Sequence, residues 1–288
     1  MTSFFATTVP VADALWNAPK TYLGMGLDWQ AEQDNWLQKF VVSHKNPSIA
    51  LAATLNPEEL ASIASNTCQL VNDFLKAKGF NIQLQDQGPS NMLYAASVLK
   101  LLGEFLAGGE TDYRLREIGK PAFRLGREAK VKHFDFNGQR VVVIPTNGGF
   151  SLLVTRPTGV VGFRMLDDWT NILHTMKPTR GNGVLLPMAK IDEVGIDVKD
   201  LCGMFAEDWI VQEALMAAKF ALTPKSVRFE AAFAYSARKG MTMEKLPQIG
   251  DYVADHALYF ALVKRNHWLP LAAGMVDVED LSSIVVNS

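Results

Sequence analysis

VLLPMAKIDEVGIDVKDLCGMFAED, residues 184–208, sets a short apolar run, a proline and a lysine directly ahead of an independent helix start. The run reads as one strand, GVLLPMAKID, over residues 183–192. Pro187 has no backbone donor, which places it at the edge or the beginning of that strand. DVKDLCGMF, residues 197–205, then reads as a short helix that stops near Gly203.

Working outward, the C-terminal side carries strand-like runs: SVRFEAAFAYSA (226–237), HALYFALVK (256–264) and PLAAGMVDV (270–278), the last two joined by RNHWLP. On the N-terminal side, VKHFDFNGQRVVVIPTNGGFSLLVTRP (131–157) contains two strand-like runs. Asn137-Gly138 and Asn147-Gly148-Gly149 supply the positive φ of hairpin turns. RMLDDWTNILHTMK (164–177) is helical, with Asp167 and Asp168 near its start.

The first third reads as helix-rich. NPEELASIASNTCQLVNDFLKAKG, Asn56 to Gly79, opens on an Asn cap with Pro at the first helical position and acids in the first turn. It predicts one amphipathic helix whose apolar face is Leu60, Ile63, Leu70, Val71 and Phe74. FNIQLQ (80–85) alternates apolar and polar residues, a strand signal. SNMLYAASVLKLLGEFLAGG (90–109) fits either a helix ending at Gly108-Gly109 or a buried strand running into a turn. The sequence shows no repeat, low-complexity tract or Gly/Pro/Ser-rich linker, so residues 1–288 read as one α+β domain.

The 288 residues carry a net charge of −2, with 48% hydrophobic and 20% charged residues. That balance implies no broad basic surface for nucleic acid or anionic membrane. Arg124, Arg127, Lys130 and Lys132 form a local basic run, read as a solvated strand face or loop. Cys68 and Cys202 fit no metal or redox spacing and read as free, small hydrophobes. MTSFFATTVPVADALW lacks the basic start and sustained apolar run of a signal peptide. No segment is apolar enough over a membrane-spanning length. The expectation is a soluble, cytoplasmic protein with no membrane and no nucleic-acid partner.

The order of pieces after Lys130 resembles the C-terminal half of the serpins. FDFNGQRVVVIPTNGGFSLLVTRP is similar to the segment of that family in which two strands flank a glycine turn. DDWTNILHTM stands at the place of its short helix. In VLLPMAKIDEVGIDVKDLCGMFAED the matching positions are Leu186-Pro187, Lys190-Ile191, Asp197, Leu201, Gly203-Met204 and Phe205. In VADHALYFALVKRNHWLPLAAGMVDVED they are Ala254-Asp255-His256, Leu258-Tyr259-Phe260, Gly274 and Val276-Asp277. The resemblance runs mainly over residues 130–288, and SNMLYAASVLK is similar to the family's long central strand. It implies an α+β, serpin-like fold with large mixed or antiparallel β-sheets, a helix-rich, abbreviated N-terminal half, and a helix after Pro187 that caps two strands of a large sheet.

The resemblance also implies a function: no enzyme and no cofactor, but an inhibitor whose exposed reactive-centre loop serves as bait for a serine protease. After cleavage the freed segment would add to the main sheet as a strand. FEAAFAYSA, residues 229–237, takes the place of the hinge, with Glu230, Ala231, Ala232 and Ala234 as hinge residues. The exposed loop is expected over Ser236 to Asp251. A trypsin-like protease would favour Arg238 or Lys239, the family spacing points to Lys245-Leu246, and Pro247 would make the next bond a poor substrate.

Insertion needs small side chains on the buried face. One face of the segment is Ala232, Ala234, Ser236 and Arg238, whose charge is costly to bury. The other is Ala231, Phe233, Tyr235 and Ala237, whose two rings would overpack a filled core. That bulk favours a second reading, a non-inhibitory binding or structural protein on the same scaffold. A third reading is a serine hydrolase: Ser97-Val98-Leu99-Lys100 matches S-x-x-K, which on a helix puts both side chains on one face. The five histidines show no metal-ligand spacing, and His256 is expected to pack and hydrogen bond.

Overall fold

The computed structural model describes residues 3–86, 92–230, 248 and 250–282. In chain order the first half forms β1 (Phe4–Ala6), α1 (Val9–Ala12), a π-helical turn (Asp13–Asn17), α2 (Ala18–Leu23), α3 (Trp36–Ser43), α4 (Lys45–Ala52), β2 (Leu60–Ser65), α5 (Cys68–Ala77), β3 (Tyr94–Glu104), β4 (Glu110–Leu115) and β5 (Lys120–Leu125). Then come β6 (Lys132–Phe136), β7 (Gln139–Pro145), β8 (Phe150–Thr155), α6 (Arg164–Thr175), β9 (Lys177–Thr179), β10 (Val184–Pro187) and β11 (Ala189–Ile196). The chain closes with β12 (Phe205–Ala206), β13 (Trp209–Ile210), β14 (Met216–Leu222), β15 (Ser226–Glu230), β16 (Tyr252–Val253), β17 (Leu258–Lys264) and β18 (Ala272–Val276). No helix among the described residues is long and apolar enough to cross a membrane.

A seven-stranded sheet runs β1-β18-β17-β8-β7-β6-β9 and a five-stranded sheet runs β11-β14-β15-β3-β2. A four-stranded sheet, β16-β10-β5-β4, and the β12-β13 hairpin complete the set. HALYFALVK and PLAAGMVDV pair antiparallel as β17 and β18, with Phe260 opposite Gly274. A Cβ at Gly274 would stand 2.7 Å from the Phe260 ring, so the strands meet this closely only because the residue is glycine. Asn137 and Gly138 both take positive φ, 51° and 80°, joining β6 to β7 by the turn that Asn-Gly predicts.

The main core lies where the seven-, five- and four-stranded sheets turn their apolar faces to one another, with Phe5, Leu101, Phe123, Phe220, Phe229 and Phe260 at its centre. Phe220 stacks on Phe260 at 4.3 Å. The opposite face of the seven-stranded sheet packs on α6 and α3, burying Trp169 and Tyr259.

Several expectations are corrected. Asn56 does cap: its Oδ1 accepts from the backbone N–H of Glu58 and Glu59 at 2.8 and 3.0 Å, and Glu59 Oε2 accepts from Asn56 N–H at 2.9 Å. The single helix over 56–79 does not form, because the chain leaves after one turn to pair as β2 along β3, Leu60 opposite Leu99 through Ser65 opposite Tyr94. The helix α5 begins only at Cys68, and Leu70, expected on its buried face, is 54% exposed. FNIQLQ is extended but joins no described strand. Residues 131–157 hold three strands rather than two. The ambiguous segment 90–109 contains the long strand β3.

The opening stretch also divides. Its apolar run forms two strands in two sheets, β10 and β11, with Met188 as the crossover. Pro187 ends β10, opposite Ala122, rather than beginning a strand, because without a donor it cannot carry the ladder onward. The short helix is a 3-10 turn at Lys199–Leu201 inside the connection between β11 and β14, which are antiparallel neighbours. Gly203 follows it with φ +92°.

Candidate functional site

The site is built around β15 and the strands on either side of it. The chain comes up β14, reverses through Thr-Pro-Lys-Ser and returns as β15. Pro224 presets φ for the turn. The Thr223 hydroxyl accepts from the N–H of Ser226 at 3.1 Å, and Thr223 N–H donates to the Ser226 carbonyl at 2.9 Å. β15 then lies antiparallel between β14 and β3, with Phe229 opposite both Phe220 and Leu101. It is a central strand. Alternation turns Val227 and Phe229 into the core, and both are fully buried.

Below Glu230 the two flanking strands continue while the described chain between them stops. β3 extends to Tyr94 and β14 to Met216, and no described strand pairs the inner edge of β3 over Ala95–Leu99. A cavity of about 450 Å³ occupies this place. Its walls come from both faces of the sheet. Ala96, Val98 and Ala217 belong to the apolar cluster under α5, while Ser97 points the other way, donating its hydroxyl to Asp13 Oδ2 at 2.8 Å. All four line the one cavity. Side chains of opposite faces meet here because, among the described residues, no strand separates β3 from β14 below Glu230.

Both sides of the opening are covered. Behind it stand Val11 and Leu15 of α1 and the π-helical turn. In front, α5 and the extended residues 79–85 cross the sheet. This strap is fixed by Lys219, whose ammonium donates to the Gly79 carbonyl at 3.1 Å and meets Glu193 at 3.2 Å. Glu193 also accepts from the side chain of Asn81 at 3.2 Å, and Glu213 accepts from Gln85 N–H at 2.8 Å. Phe80 is buried beneath it.

The described chain resumes on a different sheet. Asp251, fully buried at its side chain, takes two hydrogen bonds from Arg124: Nε at 2.7 Å and Nη2 at 3.1 Å. Its Oδ2 also accepts from Gln248 N–H at 3.1 Å. Arg124 on β5 is therefore not a solvated residue: its side chain is 6% exposed, and the hydrogen bond to Asp251 holds its pKa above the ordinary arginine range. Tyr252 and Val253 follow as β16, parallel to β10. Asp251, the expected end of the exposed stretch, is thus held at a buried side chain. His256 donates through Nδ1 to the Ala257 carbonyl at 2.7 Å and accepts from the Tyr252 hydroxyl at 3.0 Å. Burial lowers its pKa.

Arg238, Lys239, Lys245, Leu246 and Pro247 lie outside the described residues, as do Ala231, Ala232 and Ala234; Glu230 closes β15. Arg124–Asp251 and the 223–226 reversal escaped the sequence reading. Thr-Pro-Lys-Ser was a legible turn signal, whereas nothing local links residues 127 positions apart. The hydrolase pair is overturned. Ser97 and Lys100 stand on a strand, not a helix, and three residues apart on a strand they point to opposite faces.

No protein-family model and no curated protein matches the sequence. Among solved structures, thyroxine-binding globulin in complex with thyroxine superposes with a TM-score of 0.52 at 10% identity, covering 98% of this chain and 94% of that one. The chain has the serpin fold. Serpin48 of the insect Tenebrio molitor gives a TM-score of 0.48 at 13% identity, over 96% of this chain and 92% of that one. The native thermophilic serpin tengpin gives 0.46 at 15% identity over 74% of this chain, which spans 63% of tengpin's length. At these identities the likeness to serpins is one of fold.

Proposed function

We propose that this serpin-fold protein engages a serine protease through a bait loop lying within residues 237–247. The reading is supported by one observation: the chain on either side of residues 231–247 is fixed to different sheets, at β15 in the middle of the five-stranded sheet and at Asp251 on β5 of the four-stranded sheet. A segment tethered at both ends presents its middle to a protease cleft without being released by cleavage. Arg238 and Lys239 are the bonds for a trypsin-like enzyme; Lys245-Leu246, just ahead of Pro247, is the alternative. Brief trypsin digestion of the intact protein with mass mapping is expected to cut first after Arg238 or Lys239. First cuts elsewhere, with 231–251 intact, would remove the proposal.

A second reading is a non-inhibitory binder, and a specific feature favours it. Val227 and Phe229 already fill core positions, so the upper part of the sheet has no vacant strand position to receive a cleaved loop. Thyroxine-binding globulin, similar in fold, is itself a complex with a small molecule. Incubation with trypsin, chymotrypsin and subtilisin separates the two. A complex that survives SDS indicates trapping of the acyl-enzyme, and plain cleavage without gain in thermal stability indicates a static binder.

A further inference from the structure

Among the described residues, β2 is the outer strand of the five-stranded sheet, beyond β3. An edge strand exposes a row of unpaired N–H and C=O groups, and folded proteins blunt it with charge, proline, a bulge or brevity. The other edges of the three large sheets are treated in this way. β9 reads Lys-Pro-Thr. β11 carries Lys190, Asp192 and Glu193 and breaks register after Ile191. β4 breaks register after Glu110 and carries Arg114, while β1 and β16 are only three and two residues long. β2 has none of these devices. Leu-Ala-Ser-Ile-Ala-Ser holds no charge and no proline, and it pairs with β3 without a break from Leu60 to Ser65.

The phase of the ladder fixes which groups face out. Lys100 N–H donates to the Glu59 carbonyl at 2.7 Å. Antiparallel pairs alternate, so Ala61 and Ile63 bond inward to Val98 and Ala96, and Ser62 and Ala64 turn their N–H and C=O groups outward. The Leu60 carbonyl turns outward too, while its N–H donates to the Asn56 carbonyl at 2.9 Å. Both helices packed on β2 expose a large apolar side chain: Tyr22 of α2 at 53% and Leu70 of α5 at 54%. Asn72 donates to the Leu84 carbonyl of the strap at 2.9 Å. Leu70, two residues earlier and so about 200° round the helix, points away from the strap, toward the edge.

We propose that β2 is the surface through which two copies of this chain pair, edge to edge and antiparallel, about a two-fold axis at Ser62. The strand is complementary to itself about that point. Ser62 meets Ser62 of the second copy, each N–H donating to the other's carbonyl. Leu60 meets Ala64, whose N–H donates to the outward Leu60 carbonyl, and Ala61 meets Ile63. Each large side chain therefore faces a small one. Glu58 falls opposite Asn66 and Glu59 opposite Ser65, so no like charges are opposed across the seam. A net charge of −2 opposes self-association little. Tyr22 and Leu70 flank the seam, where the second copy covers them.

Sedimentation velocity of the full-length protein over about a hundredfold range of concentration tests this, with a reversible monomer–dimer equilibrium expected. Ser62→Pro removes an outward donor and leaves the ladder to β3 intact, so the fold should stand while the dimer dissociates at least about tenfold more readily. Tyr22→Glu/Leu70→Lys, at two exposed positions, should act in the same direction, and it decides alone should Ser62→Pro fail to fold. A monomer at every concentration overturns the proposal. A dimer unchanged in these variants overturns it in favour of another face. Hydrogen exchange supplies the second readout: the Ser62 and Ala64 amides should slow in step with the dimer fraction. Equal protection of those amides in the monomer overturns the pairing in favour of another segment of the same chain on the edge.

Discussion

The two ends of residues 231–247 are held by opposite physics. At β15 the hold is apolar: Val227 and Phe229 are fully buried, and Phe229 lies 6.0 Å from the ring of Phe5. At the other end it is ionic: a carboxylate with no exposed surface is clasped by a guanidinium that is 6% exposed. An apolar anchor gains from every methylene it buries and is indifferent to protons. A buried ion pair earns little net stability but is intolerant of losing one partner. The fold thus spends packing where a strand must stay and charge where a chain must land in one position.

The largest effect is expected at the apolar end. Phe229→Ala removes a ring from the centre of the main core, between Leu101 and Phe220 in the ladder. The loss should be about 3–5 kcal/mol, read as a lowered urea midpoint at unchanged slope. A loss below about 1 kcal/mol would mean that β15 is not a central strand, since surface substitutions cost that little.

The ionic end comes next. Asp251→Asn leaves the buried Arg124 with only the half-exposed Glu110, 3.7 Å from its Nη1, as counter-ion, at a cost of about 3 kcal/mol, the lower end for breaking such a pair because Glu110 remains and Asn still accepts from Gln248 N–H. The contrast sharpens with the double replacement Arg124→Met/Asp251→Leu, which should recover most of that loss, since no charge is left stranded. No comparable rescue exists for Phe229→Ala short of restoring the volume. Added salt should move the midpoint of the parent protein little, because a pair this buried is poorly screened.

The same contrast explains what the sequence could show. Elements stabilised by their own neighbours were legible: α6 with Asp167 and Asp168 near its start, β6 and β7 from Asn137-Gly138, β17 and β18 from strand-like apolar runs. β2 was not, because Asn56 and Glu59 form a genuine capping box and only the far edge of β3 turns the following residues into a strand. Arg124 looked solvated because its partner lies 127 positions away in the chain. The ordering of pieces, by contrast, survives divergence of side chains, which is why the serpin fold was visible over residues 130–288 and the site was not.

The smallest expected effect tests whether proton sensitivity lies near the ionic end, where Asp251 acts on His133, and not at the apolar one. His133 on β6 is 5% exposed, and neither ring nitrogen has a hydrogen-bond partner among the described residues. Its ring fills the place where Gly181 has no side chain; a Cβ there would lie 2.4 Å away. Burial first and Arg140 second push its pKa below the ordinary 6.5, with Asp251 pulling weakly the other way. The unfolded chain then takes up a proton more readily than the folded one. The stability tied to a neutral His133 is whole above about pH 6.5 and declines as the pH falls toward the folded-state value. His133→Leu should flatten the fall in thermal midpoint between about pH 6.5 and 5 only in part, because His256 carries a shift of the same sign four residues past Tyr252. Replacing Val227 by Ala should lower the midpoint at every pH by the same amount and leave the slope alone. A slope unchanged in His133→Leu, or altered in Val227→Ala, would break the division between the two anchors.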